Sequence, residues 1–81
     1  MDNDLRHARP RPDFRLAVEV ADGRTGIVDM APFLAHPGLE ALRDPGYLAR
    51  VTVVLGAATW PDGEDVAPDT MAAAMRTGLP A

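Results

Sequence analysis

The stretch that decides the fold is "FRLAVEVADGRTGIVDM", residues 14–30. Phe14, Leu16, Val18 and Val20 alternate with Arg15, Ala17 and Glu19, the two-residue period of a strand with one buried face. A second run, "TGIVDM", follows, and the Asp-Gly between the two runs signals a hairpin. Loop length sets which residues meet. A two-residue loop, Asp22-Gly23, would place Leu16 opposite Asp29, an apolar side chain against a charge on one face. A three-residue loop, Ala21-Asp22-Gly23, places Phe14 opposite Met30, Leu16 opposite Val28, and Arg15 opposite Asp29 on the far side. A slip of one residue exchanges the faces, so the register that satisfies both faces wins. We therefore expect the three-residue loop, with Gly23 in the left-handed conformation.

Working outward, "LRHA", residues 5–8, reads as a short preceding strand, with a bend at Pro10 and Pro12. After the hairpin, "APFLAHPGLEALRDPGYLAR" is helical by turns. Pro32 suits a first helical position, His36-Pro37-Gly38 stops that piece, and "LEALR" is a second turn ended by Asp44-Pro45-Gly46. "VTVVL" is strand-like, with Val51, Val53 and Leu55 on one face, and Gly56 begins a tight turn into "AATW". "PDTMAAAMR" reads as a short helix with Pro68 near its start and Gly78 after its end. Met71 and Met75 lie one helical turn apart, at core spacing. The expected fold is α+β: a small antiparallel sheet of four to five strands in two hairpins, with short helical turns and a C-terminal helix on one face.

The chain has 81 residues and no cysteine, so neither disulfides nor thiolate metal sites are available. We read residues 1–81 as one domain, with 1–4 and 77–81 frayed. A domain this small buries only about 60% of its unfolded surface, and self-association or docking on a partner is a common remedy. No apolar run approaches the roughly 20 residues that span a bilayer, and "MDNDLRHARPRP" lacks the apolar centre of a secretory signal. A cytoplasmic location is expected. The net charge is −4, there is no lysine and no serine, and alanine is abundant; we read this as base-composition bias in the gene. A net acidic domain is a poor general binder of nucleic acid. The local exception is "RHARPR": Arg6, Arg9 and Arg11 form either a solvated edge strand or frayed end, or a contact for phosphate or an acidic partner.

"TWPDGEDVAPDTM", residues 59–71, holds the single tryptophan together with Asp62, Glu64, Asp65 and Asp69. As a calcium loop it fails, because glycine and glutamate do not fall at the sixth and twelfth positions. As scaffold it is coherent. Trp60 packs on the core, Pro61-Asp62-Gly63 turns the chain, Pro68-Asp69 opens the last helix, and Asp65 accepts N–H bonds around the helix start. His7 and His36 have no paired ligand at helical spacing, and neither a serine or cysteine nucleophile nor a glycine-rich phosphate loop exists. No catalytic, cofactor or metal residue is expected, and the protein is not expected to be an enzyme.

At "FRLAVEVADGRTGIVDMAPFL", "LEALRDPGYLARVTV" and above all "WPDGEDVAPDTM", the chain resembles a bacterial family, the domain of unknown function numbered twenty-four forty-two. The likeness runs over roughly residues 5–75 and centres on a WPxGxDxxP block carried here by Trp60, Pro61, Gly63, Asp65 and Pro68. Glu64 replaces a small residue, Met71 replaces leucine, and the "VTVVLGAATW" hairpin is tighter than in many members. The resemblance implies a small α+β unit without established catalysis, found in some members ahead of a DNA-binding helix-turn-helix for which this chain has no room. Its genes often neighbour that of a second small protein, in pairs proposed as toxin–antitoxin modules. It thus implies an antitoxin-like, protein-binding accessory role with a small partner encoded nearby. The alternative is a regulatory or small-ligand-binding module using the groove between sheet and helices.

Overall fold

The computed structural model describes residues 3–76. Strands β1 (Leu5–Arg11), β2 (Arg15–Val20) and β3 (Thr25–Asp29) are followed by two 3-10 turns, Ala31–Ala35 and Glu40–Arg43. Helix α1 (Pro45–Leu48), strands β4 (Thr52–Val54), β5 (Ala57–Thr59) and β6 (Asp65–Val66), helix α2 (Pro68–Ala74) and strand β7 (Met75–Arg76) complete the described residues. The fold is α+β, as expected. Among the described residues seven strands form two antiparallel sheets, β1-β2-β3-β7 and β4-β5-β6, rather than a single sheet of four to five strands.

The β2–β3 register is the expected one: Leu16 faces Val28 and Arg15 faces Asp29. Val20 N–H donates to the Arg24 carbonyl at 2.8 Å and Gly23 N–H to the Val20 carbonyl at 2.9 Å, closing the three-residue loop. Gly23 has φ +99°, a region closed to most side chains. The Asp22 carboxylate accepts the Arg24 N–H at 3.0 Å and the Arg24 Nε at 2.8 Å. These contacts, the backbone bond foremost, hold its carboxyl below the usual value.

Several local expectations are corrected. β1 runs on through Pro10 to Arg11, and the bend falls later, at Pro12–Phe14. As a strand at the edge of its sheet, β1 tolerates a residue that has no N–H to donate. Phe14 leaves the strand at φ +60°; its carbonyl still accepts the Met30 N–H at 2.8 Å and its ring packs on the core. Asp44-Pro45-Gly46 starts a helix rather than only ending a turn, because the Asp44 carboxylate accepts the Gly46 N–H at 2.9 Å as the N-cap of α1. The C-terminal helix stops at Ala74, and Met75–Arg76 turn extended to pair with Ile27 and Val28. Met75 therefore reaches the core from a strand and not one turn beyond Met71. Gly78 and the rest of 77–81, with residues 1–2, lie outside the described residues. Asn3 and Asp4, within the stretch expected to fray, are bonded: the Asp4 carbonyl accepts the Ala21 N–H at 2.8 Å, and Asn3 bridges Asp69 and Arg24 at 3.0 and 2.6 Å.

One apolar cluster unites the elements. The inner face of the larger sheet supplies Leu5, Leu16, Val18, Val20, Val28 and Met30; the helical segments supply Leu42, Leu48 and Met71; the smaller sheet and its flanks supply Val51, Ala58, Trp60 and Val66. The two sheets meet where Leu5 N–H donates to the Gly56 carbonyl at 2.8 Å.

Candidate functional site

The Trp60–Pro68 block is built as a second copy of the first hairpin's turn. Trp60 N–H donates to the Glu64 carbonyl at 2.9 Å, and Gly63 N–H donates to the Trp60 carbonyl at 2.9 Å. Gly63 has φ +102°, close to the +99° of Gly23. Both loops read x-Asp-Gly, a type I turn closed by a glycine at positive φ. The turn lets Asp65–Val66 fold back on β5, with Asp65 opposite Thr59 and Val66 opposite Ala58. This last strand was not expected, since two residues carry no readable period.

Trp60 is 2% exposed, and its Nε1 donates to the buried Leu48 carbonyl at 3.0 Å. That bond ties the turn to the end of α1 and satisfies the indole's only polar atom. The Tyr47 hydroxyl is the second tie: it donates to Glu64 Oε1 at 2.5 Å and accepts the Asp62 N–H at 2.8 Å. Partial desolvation, then the bond to Glu64, raises the Tyr47 phenol above its ordinary value, because both disfavour a phenolate. Glu64, a departure from the family pattern, thus has a local bonding partner. Pro68 lies in the first turn of α2, and Asp69 places a carboxylate there too. The expected cap by Asp65 is not formed: the N-cap of α2 is Ala67, with no side-chain bond, and Asp65 lies exposed on β6. Among the described residues no three His, Asp or Glu side chains gather as a metal would require.

The arginine arm divides. A bulge between Leu5 and His7 makes Arg6 the extra residue of β1. Its guanidinium bonds Glu19 Oε2 at 3.2 Å and the Ala21 carbonyl at 2.8 Å, so it clamps the hairpin end. Arg9 and Arg11 are exposed and pair with Ala17 and Arg15 of β2.

The tight turn at Gly56 was expected, but sequence reading missed that Leu55 belongs to its exposed tip between β4 and β5. Val54 pairs with Ala57, leaving the two-residue loop Leu55-Gly56. Leu55 was expected on one strand face with Val51 and Val53; it is instead in the turn and 96% exposed, beside Val54 at 50%. Its φ is +51° and that of Gly56 +82°, the double positive sign of a type I′ turn. The left-handed region costs an ordinary residue about 1–2 kcal/mol, so this tip is strained as well as apolar. Gly56 cannot take a side chain, since a Cβ there would lie 2.6 Å from Asp4 Cγ. The base of the turn is thereby held against the N-terminal residues.

Among the described residues no helix is long and apolar enough to cross a membrane. No curated protein and no solved structure matches the chain. The family model described as "Protein of unknown function (DUF2442)" matches residues 5–77. That match runs from the start of β1 past the end of β7, through both x-Asp-Gly turns and the buried Trp60, and the chain belongs to this DUF2442 family.

Proposed function

We propose that this domain is a non-catalytic, protein-binding accessory unit of the cytoplasm, an antitoxin-like member of a two-protein module. The observation that carries the reading is the Leu55 tip. A large apolar side chain held in a costly backbone conformation and given wholly to solvent adds nothing to the stability of the free domain. Strain kept at an exposed position is the mark of a site shaped for something other than folding. The hairpin beneath it is short and bonded to the N-terminal residues, so the leucine is held ready and little order is lost when a partner closes over it. The gene pairing implied by the family resemblance gives the antitoxin-like part. The acidic Trp60–Pro68 block is scaffold in this reading, because Trp60 packs in the core, Pro61-Asp62-Gly63 forms the turn and Glu64 bonds Tyr47.

The test is co-purification with the product of the adjacent reading frame. The wild-type chain should bring it down, and Leu55→Asn, which keeps the turn, should not. Two folded proteins that never associate would refute the reading.

A further inference from the structure

We propose that the outer face of the β1-β2-β3-β7 sheet is a second docking surface, for an acidic, amphipathic segment of a protein partner. The side chains of Leu16, Val18, Val20 and Val28 point inward, so those between them share the other face. One transverse row crosses all four strands: Arg9 pairs with Ala17, Ala17 with Ile27, and Ile27 with Arg76. Strand spacing puts its two arginine ends about 14 Å apart, with an apolar pair between them. Beside it runs Arg11, Arg15 and Asp29. Four of the chain's eight cationic side chains thus stand on one face of a molecule whose net charge is −4.

The carboxylates nearby are already engaged. Glu19 pairs with Arg6 at 3.2 Å, and Asp29 accepts the Ala31 N–H at 3.0 Å. Ala17 and Ile27 are half-buried but do not belong to the apolar cluster or its fringe, so they offer contact area that the fold does not use. An apolar centre rimmed by arginines suits a segment that brings carboxylates at its flanks and an aliphatic side chain in the middle.

Other occupants fit less well. Among the described residues the face carries no phenyl, phenol or indole ring to stack a nucleobase, only the His7 imidazole opposite Glu19 at its edge. The carboxylates of the Trp60–Pro68 block are opposite in sign to it, but a head-to-tail contact between two different surfaces of identical copies builds a ring or an open chain rather than a two-fold dimer. Strand addition at β1 is opposed by Pro10, which has no N–H to pair.

The proposal rests on the protein-binding reading for the kind of partner, but not on the Leu55 tip. The test uses the full chain and a short fluorescein-labelled peptide of alternating glutamate and leucine, followed by anisotropy at low salt. Binding is expected, weakening as ionic strength rises from about 0.05 to 0.15 M. Arg9→Glu with Arg15→Glu should weaken it about tenfold or more, while Arg9→Lys with Arg15→Lys retains most of it. Circular dichroism melts establish that each variant folds, and Ile27→Ala reads the apolar part. Leu55→Asn should leave peptide binding unchanged, which separates this face from the tip. Absence of peptide binding, indifference to charge reversal, or tighter binding of a single-stranded oligodeoxynucleotide would overturn the proposal. So would a self-association that the charge reversal abolishes.

Discussion

Replacing Leu55 by asparagine should make the protein more stable, although the residue removed is a large hydrophobe. Leu55 occupies the first central position of a turn whose two central residues have φ +51° and +82°. Asparagine followed by glycine is the preferred pair for such a turn, and asparagine tolerates the left-handed region that leucine enters at about 1–2 kcal/mol. The packing lost is close to nil, because Leu55 is 96% exposed. Relief of most of the strain amounts to about 1 kcal/mol, which raises the Tm of a domain of this size by roughly 4–8 °C. A thermal melt followed by far-ultraviolet circular dichroism measures it directly. A fall in Tm would mean that Leu55 packs on something in solution, and the argument from an idle, strained side chain would be wrong.

Other substitutions probe the scaffold. Trp60→Ala removes a side chain 2% exposed and leaves the Leu48 carbonyl without its indole donor; a loss of about 3–5 kcal/mol is expected in urea melts, out of a total of about 5–15 for a whole domain. Gly26→Ala would set a Cβ 2.5 Å from the Arg76 carbonyl oxygen and from Met75 Cγ, so a loss of about 1–3 kcal/mol is expected, with faster amide exchange at Met75 and Arg76. A neutral effect would deny the β3–β7 pairing. The single tyrosine should form its phenolate above the ordinary value near 10, as read by ultraviolet absorbance. Since the folded value is the raised one, this contribution to stability is complete below the unfolded value and lost as pH climbs through the folded one. Titration of Tyr47 at or below its ordinary value would remove the bond to Glu64 from the account.

The parts of the fold visible in the sequence are those where two constraints agree. The β2–β3 register follows because Leu16 with Val28 and Arg15 with Asp29 each demand the same loop. The Trp60 turn was readable because proline, aspartate and glycine each suit a specific backbone position. What escaped reading had no such redundancy. β6 and β7 are two residues each, too short to show a period, and their pairing is decided by tertiary contacts. Phe14 and Leu55 adopt positive φ against their intrinsic preference, so residue type pointed the wrong way. The Leu55 tip and part of the arginine face escaped for these reasons. Arg15 could be placed on an exposed strand position from the alternation, but Arg9 and Arg11 join it only because β1 runs on through Pro10, and Arg76 only because the chain leaves α2 after Ala74 and turns extended.

The most direct test of the account is calorimetric titration of the purified chain with the purified product of the neighbouring reading frame, both shown to be folded. The account predicts a saturable complex that Leu55→Asn weakens about tenfold or more, the loss of roughly 1.4 kcal/mol expected when an apolar anchor is withdrawn. Absence of heat and of co-elution, or a complex unchanged by Leu55→Asn, would contradict it.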